Sequence, residues 1–88
     1  MPPPVEKFPL SKTYATGKMP YGTDYDKEFH RCFRLAAAGD ADAQFCVGWM
    51  YWKGLGVGAS AVQAEKYFKK SAAKENPYAA QALKEMGE

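Results

Sequence analysis

From Asp26 onward the apolar positions of the chain recur with the period of a helix. Phe29, Cys32, Phe33, Ala36 and Ala37 fall on one stripe, which predicts a helix over 26–38. Gly39 stands where a helix end takes positive φ, and Asp40 can cap the next helix. That helix, predicted over 41–53, carries Ala43, Val47, Met50 and Tyr51 on one face. It also carries Phe45, Trp49 and Trp52 at i, i+4 and i+7, a second apolar stripe, so it must be covered on both sides. Gly54-Leu55-Gly56-Val57-Gly58 reads as a permissive loop. Ser60 with Gln63 forms a capping box that opens a helix over 61–73, with Glu65, Lys66, Lys69 and Lys70 on its polar side. Asn76-Pro77 reads as an N-cap followed by proline at the first helical position, and the last helix runs to about Met86.

Residues 1–23 show no such period. Pro2, Pro3, Pro4, Pro9 and Pro20 lie there, and proline fixes φ and removes a donor, so an extended arm is expected. Val5, Phe8, Leu10, Tyr14, Met19 and Tyr21 give the arm apolar side chains to dock. Ordering it costs very roughly 20–45 kcal/mol in backbone entropy, which only contact with a surface can offset. A partner subunit is the expected surface, with the chain's own helices as the other choice.

The helical region repeats itself. A shift of 36 pairs Ala36 with Ala72, Ala37 with Ala73, Ala43 with Ala79, Val47 with Leu83 and Met50 with Met86. The same shift pairs Asp24 with Ser60, both at helix starts. Four helices joined by short turns predict an all-α fold of two antiparallel hairpins, α-solenoid in type, over residues 24–88.

These residues carry a resemblance. Ala36, Gly39, Ala43-Gln44-Phe45, Val47-Gly48, Met50-Tyr51, Gly54, Gly56-Val57, Ala64, Tyr67-Phe68, Lys70 and Ala72 follow the pattern of the Sel-one-like repeat family, which is related to tetratricopeptide repeats. The resemblance covers residues 24–86, about one and a half to two repeats. Three positions depart from the pattern: Val47 replaces a leucine, Ser60 an aspartate and Glu75 a glycine. Tyr14-Ala15-Thr16-Gly17 is similar to Tyr51-Trp52-Lys53-Gly54, as if the arm ended an earlier repeat. The resemblance implies scaffold or adaptor work on other proteins. Such repeats need ~3 or more units for independent stability. An accessory subunit docked in a larger, possibly organellar, complex is therefore the expected role.

Composition narrows the alternatives. A chain of 88 residues hides only ~60% of its surface on folding. Its net charge of +2 interleaves both signs, which argues against nucleic acid and anionic membranes as partners. No apolar run approaches the ~20 residues of a membrane span, and Met1-Pro2-Pro3-Pro4 does not open a secretory leader. The expected address is intracellular, in the cytoplasm or an organelle interior such as the mitochondrion.

Catalytic chemistry finds no constellation. His30 has no nucleophile or carboxylate at motif spacing and cannot join Cys32 and Cys46 as a metal cluster, so neither metal nor cofactor is expected and the chain is read as no enzyme. Cys32 and Cys46 flank Gly39 by seven residues each, and both a bridge and, more commonly, buried free thiols fit. The three loop glycines lack the strand and the GK[ST] of a phosphate loop, so no small-molecule substrate is implied.

The expected partner contacts are Trp52 above all, then Trp49 and Phe45 on the second stripe. Phe8, Leu10, Tyr14 and Tyr21 join them from the arm. Coverage of that stripe by the chain itself, through the third helix or the N-terminal arm, is the more common outcome in such an architecture. Two alternative functions stand beside the accessory subunit. One is a free-standing adaptor that binds peptides in its groove. The other is a small RNA-associated helical repeat using Lys66, Lys69, Lys70 and Lys74 with the two tryptophans.

Overall fold

The computed structural model describes residues 6–87. Among the described residues there are five α-helices and no strand: α1 Pro9–Ala15, α2 Tyr25–Ala37, α3 Ala41–Lys53, α4 Ala61–Ala72 and α5 Pro77–Glu85. The all-helical class holds, and the helices read from periodicity are α2 to α5. Their number does not: residues 9–15 of the supposed extended arm are helix. Pro2, Pro3, Pro4 and Val5 lie outside the described residues.

The start of α1 explains the correction. Pro9 occupies the first helical turn, where its missing N–H costs nothing. Seven residues are far too few for an isolated helix, and Phe8 supplies no side-chain cap. The cap comes from α3 instead. The Asp42 carboxylate accepts from the Leu10 N–H at 3.0 Å, the Ser11 N–H at 2.7 Å and the Ser11 hydroxyl at 2.5 Å. Asn76 Nδ2 donates to Ser11 Oγ and Ser71 Oγ, both at 2.9 Å, while Ser71 Oγ donates to the Ala41 carbonyl at 2.6 Å. Ser11, Ser71 and Asn76 are buried, and this network satisfies them while fastening α1 to α3, α4 and α5. The arm therefore docks, over this stretch, on the chain's own α3 and α5.

Local signals stop and start the other helices as their residues suggest. Asp24, Asp40, Ser60 and Asn76 each accept a hydrogen bond from the first turn that follows them. The turn after α2 closes with Gly39 N–H on Ala36 O and Asp40 N–H on Leu35 O. The turn after α4 repeats this, with Glu75 N–H on Ala72 O and Asn76 N–H on Ser71 O. Glu75 thus holds φ +65, a left-handed conformation for which its equivalent Gly39 needs no Cβ relief. The missing repeat glycine leaves the turn intact and strained.

Helix α3 is the hub, packed by α1, α2 and α4. Ala43 to Gly48 and Met50 are buried, so this helix has no open face over its first turns. Gly48 makes the α3–α4 approach close, since a Cβ there would meet the Phe68 ring at 2.8 Å. Gly56, at φ +70, seats the α3–α4 loop against α2, where a Cβ would fall 2.2 Å from the Tyr25 carbonyl oxygen.

Candidate functional site

Two aromatic assemblies flank α3. The first grows from the Phe45, Trp49, Trp52 stripe. Phe45 is fully buried, stacked on Trp49 at 5.7 Å between ring centroids, tilted on Phe68 at 5.3 Å and edge-on to Tyr78 at 6.4 Å. Trp52 stands edge-on to Trp49 at 5.5 Å and to Phe68 at 5.9 Å, with Lys53 Nζ 4.1 Å from its ring centroid. Rings from α4 and α5 thus close this side, and Ala15 at the end of α1 borders it. What stays open is a cleft of about 100 Å³ lined by Ala15, Trp49, Tyr78, Gln81, Ala82 and Glu85.

The second assembly lies between α2 and α4, which both pack on α3 and meet each other through Phe33 and Tyr67. Phe29 meets Tyr51 edge-on at 5.4 Å, and Tyr51 stacks with Tyr67 at 6.1 Å. Phe33 adjoins Phe29 at 5.7 Å and Tyr67 at 6.3 Å. The result is a shallow seam with Phe29 and Phe33 from α2, Tyr67 from α4 and Tyr51 as its floor. Phe33 remains 41% exposed, touching the rings of Phe29 and Tyr67, each in tilted contact. Lys66 and Lys70 of α4 hold their ammonium groups 5.8 and 5.2 Å from the Tyr67 ring centroid. Lys74 closes the far end by donating to the Gly39 carbonyl. Burial, then the neighbouring Tyr51, raises the Tyr67 phenol above its ordinary value, so it stays neutral and acts as an apolar wall.

The residues singled out from sequence are distributed unevenly. Phe45 and Tyr14 are core side chains, at 0% and 2% exposure. Trp49, Trp52, Phe8 and Leu10 are half-buried, and Tyr21 is fully exposed. Phe29 and Phe33 lie on the apolar stripe of α2 and Tyr51 on an apolar face of α3, and their gathering with Tyr67 into a seam is a finding of the structure. Its signal was the placement of Lys66 and Lys70 around Tyr67, one residue before and three after, which marks an aromatic side chain reaching the solvated side of α4.

Cys32 and Cys46 are free thiols, both completely buried, on the facing helices α2 and α3. Their mutual hydrogen bond, followed by burial, pushes the Cys46 thiol well above its ordinary value, so it stays protonated and unreactive. Tyr14 reaches the same region; burial raises its phenol, and its hydroxyl has no hydrogen-bond partner among the described residues. Among the described residues no three His, Cys, Asp or Glu side chains gather as metal ligands, and no helix is long and apolar enough to cross a membrane. No protein-family model matches the chain, and no curated protein or solved structure gives a significant match.

Proposed function

We propose that this chain is a non-enzymatic protein–protein interaction module, an accessory subunit that seats on a larger assembly through the α2–α4 seam. The observation that carries the reading is the contrast in closure. One aromatic face of α3 is covered by α4 and α5, whereas the other leaves Phe33 at 41% exposure beside Tyr67. A contiguous aromatic patch on a folded domain is an interaction signature, and aromatic anchors dominate such interfaces. Fully burying an exposed phenylalanine contributes about 1.5–3 kcal/mol, and covering the 41% of Phe33 still exposed would give a partner surface roughly 1 kcal/mol of that. The resemblance to Sel-one-like repeats agrees with scaffold work, and the half-buried Trp49 and Trp52 offer a subsidiary contact.

The test is purification of the tagged chain from its source beside its Phe33→Asp variant. A defined set of proteins should co-elute with the parent chain and be lost from the variant, while circular dichroism shows both equally helical. Elution of the parent chain alone at monomer mass would defeat the reading.

A further inference from the structure

We infer that the α2–α4 seam receives an acidic, apolar protein segment, with its hydrophobic side chains on Phe33 and its carboxylates on Lys66 and Lys70. This rests on the interaction-module reading and adds the chemistry of the partner.

Charge is segregated around the seam. The ion pairs among the described residues join Arg31 to Glu28 and Lys69 to Glu65, each within one helix. Helical phase puts both pairs on the sides of α2 and α4 turned away from Phe33 and Tyr67. Lys66 and Lys70 form no ion pair among the described residues and rest on the Tyr67 ring. On the α2 side the flanking charge is Arg34, and the acid of that helix nearest the seam, Asp26, lies one turn before Phe29, at the opposite end from Lys70. A segment entering the seam therefore meets an apolar floor and a cationic rim. Carboxylates at that rim would gain charge-assisted hydrogen bonds.

The same rim does not suit a nucleic acid. Base stacking needs a free ring face. Tyr67 is stacked on Tyr51, and Lys66 and Lys70 approach its ring as well. A carboxylate draws the lysines outward and needs no ring face.

The experiment is fluorescence anisotropy on the full chain with three labelled probes: a short peptide of leucine, phenylalanine and glutamate, its counterpart with lysine for glutamate, and a short oligouridylate. The acidic peptide should bind at least about tenfold more tightly than either other probe, a gap of about 1.4 kcal/mol. Lys66→Ala with Lys70→Ala should lose about that tenfold, and the paired arginine replacements should keep it. Tighter or equal binding of the basic peptide or the oligouridylate, indifference to the double alanine change, or no binding of the acidic peptide overturns the inference. If the basic peptide binds and Phe33→Asp abolishes it, the partner chemistry is wrong while the seam still stands as an interaction surface. If no peptide binds and the natural partners survive Phe33→Asp, both readings fall.

Discussion

The two aromatic faces of α3 contain similar residues and meet different fates. Phe45, Trp49 and Trp52 on one side find Phe68 and Tyr78 across from them, so the rings interlock and close that side apart from the small cleft beside Trp49. Phe29, Phe33, Tyr51 and Tyr67 on the other side also touch one another, yet among the described residues no further helix comes over them. The difference is one of supply. Helices α1 and α5 both sit on the first side, where Asp42 and Asn76 bind their N-terminal ends to a common polar network. Aromatic content therefore does not distinguish core from contact surface; what lies opposite does.

The contrast breaks if the two faces respond alike to truncation. Phe45→Ala should cost about 3–5 kcal/mol in urea unfolding, a large share of what so short a chain possesses. Phe33→Ala should cost under ~1 kcal/mol, because little of its packing is enclosed. Equal losses would mean that the seam is core. The closed side can also be opened from its polar end. Asp42→Ala orphans the Leu10 and Ser11 amides and should cost about 2–3 kcal/mol. Hydrogen exchange at those two amides should accelerate well before that of α3, and unchanged protection would show α1 held by its apolar contacts alone.

Smaller effects sharpen the picture. Glu75→Gly should stabilise by about 0.5–1 kcal/mol, since relief of left-handed strain, ~1–2 kcal/mol, exceeds the chain entropy that glycine adds. A lower unfolding midpoint for that variant would mean that the Glu75 side chain contributes more than its backbone costs. Smallest of all, Tyr14→Phe should change stability by less than ~0.5 kcal/mol, as the hydroxyl it removes has no partner among the described residues. A loss above ~1 kcal/mol would reveal a bond at that hydroxyl.

Legibility followed the range of the interactions. Helices α2 to α5 could be read because their determinants are local: a cap at Asp24, Asp40, Ser60 or Asn76 and an apolar stripe behind it. The double-sided character of α3 was equally plain from its spacing. Helix α1 was not, because its cap is a carboxylate 31 residues away and its prolines favour an extended reading when taken alone. The candidate site divided in the same way. The second stripe was visible as apolar, but no spacing could say whether Trp52 would meet Phe68 or solvent. Phe33 and Tyr67 carried the opposite problem, since each lies on its helix beside residues that are buried.

Sequence by itself determined the helical segments, their ends and the 36-residue repetition of caps, because each depends on side chains within a turn of the backbone they act on. The tertiary structure alone decided that residues 9–15 coil into a helix, that Asn76 joins Ser11 across 65 residues, and that the α2–α4 seam has no cover among the described residues. Those outcomes turn on which distant groups arrive to satisfy a buried donor or exclude water from a ring, and a local pattern holds no record of that.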